Sequence, residues 1–244
     1  MSRDRTAIVT GAGKRVGAAI AAELLQDGWA VVAHVHDLDD IVPDGSVKAV
    51  ADLLDADCAE RIFDAAAGLP PVGLLINNAA RFAWDSVGEF SADECSRHMA
   101  VNVQAPVFLA RRFARQHPAG QDGLIVNLLD SKLSAPNPDY LSYTLSKSAL
   151  AAFTDLGARA LSPLGIRVNA VAPGLMLRSS GQSAENFATM HANNPLKRGV
   201  DAADVVGAIR YLAEARCVTG QTIVIDSGQR FMALERDVQF LGDA

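Results

Sequence analysis

The sequence predicts a doubly wound α/β fold, in which one parallel sheet is covered by helices on both faces. Two observations lead there: seven short β-branched runs, and longer stretches of helical apolar spacing between them. A third is the lack of any internal repeat, low-complexity tract or linker, so residues 1–244 are expected to form a single domain.

The short runs are Thr6–Thr10, Ala30–Val35, Val47–Val50, Val72–Ile76, Leu124–Leu128, Arg167–Val171 and Thr222–Ile225. Strands that are apolar throughout, instead of alternating, suit a parallel sheet buried between two layers. Helical spacing fills Val16–Gln26, Asp57–Ala67, Asp93–Arg115 and Leu141–Leu161, several of which open near Ser or Asp and close near Gly or Pro. Strand–helix alternation with right-handed crossovers puts a ligand outside the carboxyl ends of the strands. The residues just after each run are therefore the ones to search.

Composition narrows the class. The chain is 50% hydrophobic and 20% charged, enough for a sizeable core. A net charge of −6 argues against a nucleic-acid footprint. No run approaches the roughly 20 apolar residues that span a bilayer, and the start MSRDRTAIVT lacks the pattern of a signal peptide. Cys58, Cys95 and Cys217 are scattered and without metal-ligand spacing, so we expect a cytoplasmic protein and no metal site. His34 and His36 alternate on one strand without a complementary ligand set, and His98, His117 and His191 are isolated.

The first strand ends in Gly11-Ala12-Gly13-Lys14-Arg15-Val16-Gly17, followed by a helix. Glycines here permit a tight turn and close backbone approach to a pyrophosphate on the helix N-terminus, as in a Rossmann-type dinucleotide-binding domain. The spacing has one residue more than G-x-G-x-x-G, and by itself also suits a tight turn with no ligand. The second strand ends in His36-Asp37-Leu38-Asp39-Asp40. An acid at this point pairs with a ribose 2′-hydroxyl, whereas a base accepts a 2′-phosphate. Lys14 and Arg15 favour NADP(H), while the aspartates keep NAD(H) open.

Further strand ends carry a more specific pattern. Asn77-Asn78-Ala79-Ala80 follows the fourth run, Val101-Asn102-Val103 lies in the next helical segment, and Asp130 and Tyr143-x-x-x-Lys147 follow the fifth. With Thr10-Gly11…Gly17 and Pro173-Gly174, the chain from Thr6 to about Gly228 resembles the short-chain dehydrogenase/reductase family. Tyr143 and Lys147, four apart, share one helix face. An ammonium near a phenol favours the phenolate and is expected to bring its pKa towards neutral. The resemblance makes Tyr143 the proton donor, Lys147 its partner and holder of the nicotinamide ribose, and Asn102 the support of a proton-relay water. It also implies coenzyme contacts from Gly11, Gly13, Lys14, Arg15, Val16 and Gly17, from His36, from Asp52 and Leu53, from Asn78, Ala79 and Ala80, and from Pro173 and Gly174. Asp52 could equally be a helix-capping acid.

One departure bears on the substrate. The family places a Ser thirteen positions before the Tyr, where this chain has Asp130, with Ser131 one place late. A hydroxyl donates to a ketone oxygen, but an ionised carboxylate only accepts. Asp130 suits a substrate bearing N–H donors and a ring nitrogen that needs a proton. The pattern is similar to that of pteridine reductases and dihydromonapterin reductases, which combine such an Asp with a Gly-x-x-x-Arg-x-Gly cradle. By that resemblance Arg15 reaches both phosphate and pterin, and Phe82 stacks on the pterin. His36 is followed by Asp37 and Leu38 where those enzymes often have Arg and Ser, and Ala80 replaces a Ser.

The expected activity is thus NAD(P)H-dependent reduction of a dihydropterin C=N bond. A carbonyl reductase of a ketone or 3-oxoacyl thioester is the alternative, with a non-enzymatic nucleotide-sensing regulator as the second. The polar segment 175–198, bounded by Pro173-Gly174 and containing Pro195, is expected to be a substrate lid. Surplus apolar surface on Asp93–Arg115 and Leu141–Leu161, with family habit, implies a homotetramer towards which Gly228–Ala244 would reach. Trp84 reads as packing that could border the pterin pocket.

Overall fold

The computed structural model describes residues 4–178 and 181–241. Seven strands form one parallel sheet: β1 (Thr6–Val9), β2 (Ala30–Val35), β3 (Val47–Val50), β4 (Val72–Asn77), β5 (Gly123–Leu128), β6 (Ile166–Pro173) and β7 (Thr222–Ile225). Their spatial order is β3-β2-β1-β4-β5-β6-β7. All seven runs expected from sequence are strands.

Alternation along β1 explains the two layers. Ala7 and Val9 face one core with Val16, Ile20 and Leu24 of α1 (Arg15–Gln26) and Val205, Ile209 and Leu212 of α7 (Ala202–Glu214). Ile8 faces the other, with Ile62 and Phe63 of α2 (Cys58–Asp64) and Leu109 and Phe113 of α4 (Ala105–Gln116). Successive side chains leave a strand on opposite sides, so a uniformly apolar strand needs helices on both. Strand order reverses between β1 and β4, opening a crevice at their carboxyl ends.

The helices match the sequence reading in part. The 21-residue helix α5 (Leu141–Leu161) has the expected bounds, and α2 is shorter than expected. The stretch expected as one helix over Asp93–Arg115 is in three pieces: α3 (Ala92–Met99), a π-helical turn Ala100–Gln104, and α4. Pro106 supplies the reason, because it has no N–H to give to the carbonyl of Asn102 four residues earlier. The polar segment 175–198 contains a helix, α6 (Ala184–Ala192), whose Ser183 side chain accepts from Asn186 N–H. Ser179 and Ser180 of that segment lie outside the described residues.

The C-terminal segment, expected to reach towards a neighbouring subunit, is anchored within its own chain. Through Leu241 it folds back on its own chain: Arg236 donates to Asp139, Tyr140 to Gln239, and Asn186 to the carbonyl of Leu241. The last three residues, 242–244, are not described. Among the described residues no helix is long and apolar enough to cross a membrane, and no cluster of His, Cys, Asp or Glu could hold a metal ion.

Candidate active site

The strand ends enclose a cavity of about 850 Å³. Its first wall is the turn from β1 to α1. Gly11 has φ +67°, and a Cβ on Gly17 would sit 2.1 Å from the Gly11 carbonyl oxygen. A side chain at Gly17 would push the turn off the helix, so this backbone is shaped for close approach. Thr10 ties it to β4, its hydroxyl accepting from Asn78 and Ala79 N–H at 3.0 Å each, while Asn78 Nδ2 donates to Thr10 O at 2.8 Å. His34 accepts from Gly11 N–H at Nδ1 and reaches Ala51 O from Nε2. Burial holds its pKa down, which suits this neutral tautomer.

Every residue expected to touch coenzyme lines this cavity: Gly11, Gly13, Lys14, Arg15, Val16 and Gly17; His36, Asp52 and Leu53; Asn78, Ala79 and Ala80; Pro173 and Gly174. Arg15 adopts φ 56° and donates to the carbonyl of Arg178 at 3.1 Å, linking the cradle to the segment after β6. Asp52 accepts from Leu54 N–H at 2.9 Å, so it closes a local turn while facing the cavity. Of the acids after β2, Asp40 lines the cavity, and Asp37 and Asp39 are not among its lining residues.

On the α5 side, Tyr143 and Lys147 are 7% and 2% exposed. The Tyr143 hydroxyl donates to Asp130 Oδ2 at 2.9 Å, and Lys132 N–H donates to Oδ1 at 2.8 Å. Asp130, not Ser131, thus meets the phenol. Lys147 Nζ donates to Leu128 O at 2.6 Å and lies 5.7 Å from the Tyr143 ring centroid. Burial lowers the Lys147 pKa to about 8 and raises that of Asp130. Burial, reinforced by the Asp130 charge, keeps Tyr143 well above its ordinary value. Here the sequence expectation is corrected, because enclosure and a carboxylate outweigh the lysine.

Asn102 is 1% exposed, and its side chain is turned away from the cavity wall formed by its neighbour Val101. It accepts from Arg81 N–H at 2.7 Å, returns a bond to Arg81 O at 3.0 Å and donates to Ser146 Oγ at 2.8 Å. It therefore fastens the strand end after β4 to α5. The next residue, Phe82, is 44% exposed, stacks on Tyr140 at 4.2 Å and meets Tyr143 edge-on at 4.7 Å. Trp84 packs against Phe240 and donates to Asp139. Lys132, Gln229 and Asp237 also line the cavity, while Tyr140 and Ser146 pack against Phe82 and Asn102; none of the five was foreseen. Lys132 stands two residues from Asp130, but nothing in the sequence tied the C-terminal residues to this site.

A family model described as enoyl-(acyl carrier protein) reductase, of the short-chain dehydrogenase/reductase family, matches residues 11–230. The chain belongs to the short-chain dehydrogenase/reductase family. It is an NAD(P)-dependent reductase of that family. Among similar short-chain reductases are the D-erythrulose reductase of Gallus gallus, 32% identical with 93% of this chain and 96% of that one covered. The L-xylulose reductase of Bos taurus is 33% identical, with 92% and 96% covered. A solved structure, FolM alternative dihydrofolate reductase 1 from Brucella suis in complex with NADP, superposes with a TM-score of 0.89 at 36% identity, covering 95% of this chain and 97% of that one.

Proposed function

We propose that this short-chain reductase reduces a C=N bond of a dihydropterin, with NADPH as the favoured reductant. The observation that carries the reading is the hydrogen bond from the Tyr143 hydroxyl to the Asp130 carboxylate, at 2.9 Å in the cavity wall. The resemblance to FolM supports it.

The residues fit a dinucleotide. The Gly11–Gly17 turn leaves no room for a Cβ where a phosphate would lie, and Lys14 and Arg15 stand beside it for a 2′-phosphate. Asp52 and Leu53 would flank the adenine, Asn78 to Ala80 the middle of the coenzyme, and Pro173 and Gly174 the nicotinamide. The bound coenzyme supplies the hydride. The chain's own groups handle the proton. Tyr143, whose pKa is held high, keeps its proton at neutral pH and offers it to a ring nitrogen. Asp130 accepts from that hydroxyl and from substrate N–H donors, and the proton Tyr143 gives up is replaced from solvent. Lys147 contributes a buried ammonium beside Tyr143 for the ribose hydroxyls. Asn102, clasped to Arg81 and Ser146, supports the strand end beside which a proton-relay water would sit.

Phe82 presents a half-exposed ring beside Tyr143, a surface on which a flat pterin stacks. Arg15 links the cradle to residue 178, so it binds substrate and the 175–198 segment, our proposed lid, together. The rest of the assignment is one domain acting as a cytoplasmic homotetramer through α4 and α5, where Leu145 and Leu156 are 49% and 65% exposed.

The relation to erythrulose and xylulose reductases favours a second reading, reduction of a ketone. Purified protein mixed with dihydrobiopterin or dihydromonapterin, with NADPH and NADH in parallel, separates the two by loss of nicotinamide absorbance. Oxidation is expected, faster with NADPH. Turnover of erythrulose or acetoacetyl thioesters alone would reject the pterin reading.

A further inference from the structure

The cavity continues to a wall made by the C-terminal segment, where Leu234, Asp237 and Val238 join Lys132 and Asn137. That segment is held at Asp139, which is 3% exposed. Arg236 donates to both Asp139 carboxylate oxygens at 2.8 Å, and Asp237 N–H donates to one of them at 2.8 Å. The Arg236 guanidinium holds Asp139 down at about 2, so this latch is charged throughout the neutral range.

Lys132 completes the wall. Its ammonium donates to Asp139 O at 2.7 Å and to Asp237 Oδ2 at 3.1 Å. The two side chains are 9% and 17% exposed. Two more cations of the cavity lining are matched as well, Arg81 by Glu94 and Arg230 by Asp226. An anionic group arriving here would have to displace a carboxylate already seated and desolvated. A neutral group with hydrogen-bond donors instead finds the oxygens of Asp237.

Resting on the pterin reading, we propose that Lys132 and Asp237 form a charge filter for the substrate's side chain. Asp237, delivered by the C-terminal segment, occupies the lysine that would otherwise draw in a carboxylate. The pair admits a pterin whose side chain is uncharged and hydroxylated, and rejects one that ends in a carboxylate. The Asp237 charge also reaches the reacting phenol, since it contributes to raising Tyr143.

The test compares 6-hydroxymethylpterin with pterin-6-carboxylate, two ligands of nearly equal size, binding to coenzyme-saturated protein by calorimetry. The neutral ligand is expected to bind at least about tenfold tighter to the unaltered protein. Asp237→Asn releases the Lys132 ammonium, so pterin-6-carboxylate should gain about tenfold and the preference collapse. Adding Lys132→Met to that variant should abolish the gain. Lys132→Met alone, read if the Asp237 variant does not fold, should keep the preference for the neutral ligand. Equal affinities in the unaltered protein, or an unchanged ratio in Asp237→Asn, overturn the filter and leave the pterin reading standing. Failure of both ligands to bind overturns the pterin reading and the filter with it.

Discussion

Asp130 occupies the place where a hydroxyl would serve a ketone, and its environment explains what a carboxylate does there. Enclosure raises its pKa, and the Tyr143 hydroxyl and Lys132 N–H share its two oxygens. Asp130→Ser removes the group that accepts from substrate N–H donors. We expect dihydropterin turnover to fall by about 100-fold, with reduction of small ketones kept or improved, as measured by steady-state kinetics on both substrates. Equal retention of pterin activity would dismiss the carboxylate from the mechanism. Lys147 gives a second measurement. Its folded pKa of about 8 lies below the unfolded value of 10.5. Between these values the unfolded chain holds a proton that the folded chain has released, so unfolding free energy rises with pH. Below about 8 both states hold it and the cost of burying the ammonium is carried in full. Tyr143, raised above 10.0, tilts the slope the other way beyond that pH. Denaturant titrations of coenzyme-free protein between pH 8 and 10 should show the rise, and Lys147→Met should flatten it.

Two elements bring these residues to bear, and each depends on a contact from elsewhere in the chain. The β1–α1 turn is confined by Gly11 O and Asn78 Nδ2, 2.1 and 2.5 Å from where a Gly17 Cβ would stand. Gly17→Ala should therefore weaken coenzyme binding by at least about tenfold, as read by nucleotide fluorescence, with the fold retained. The start of α5 has no cap of its own, because Tyr140 takes the left-handed conformation with φ 57° and makes no side-chain cap bond. Asp85, from the loop after Phe82, replaces it by accepting from Ser142 N–H at 2.9 Å and from the Ser142 hydroxyl. This carboxylate, 3% exposed, steadies the helix one residue before Tyr143. Asp85→Ala leaves buried donors unpaired at a cost of about 1–3 kcal/mol. Thermal unfolding should shift down by several degrees, with kcat falling more than KM rises, because the phenol loses its placement. A change confined to stability would reduce Asp85 to a structural cap.

For the whole molecule, the crevice between the two layers is where binding energy couples to stability. A ligand at 100 times its Kd stabilises by about 2.7 kcal/mol, which for a chain of this size is roughly 5–10 °C in Tm. NADPH should give that shift and NADH a smaller one at equal concentration, since Lys14 and Arg15 line the cavity against a single acid of the β2 end, Asp40. The reverse order would mean that the acids after β2 govern the coenzyme. The proposed tetramer belongs to this scale as well. Light scattering should return four chains, and charged substitutions at Leu145 and Leu156 should break the assembly. A monomer with full activity would refute the proposed assembly.

Much of this was readable in the chain because its signals are local. Uniformly apolar runs specify buried parallel strands wherever they fall, and the spacing of Tyr143 and Lys147 on one helix face follows from helix geometry alone. The short motifs after each strand end gathered in one crevice because topology brings carboxyl ends together, and the sequence alone determined that family and pointed to that crevice. Tertiary structure decided what depends on distant contacts or on enclosure. Asp85 capping α5, Asn102 clasping Arg81, and Asp237 paired with Lys132 link residues 57, 21 and 105 positions apart, and no periodicity encodes such meetings. The ionisation of Asp130, Tyr143 and Lys147 was likewise out of reach, because desolvation depends on what surrounds a group and not on its neighbours in the chain.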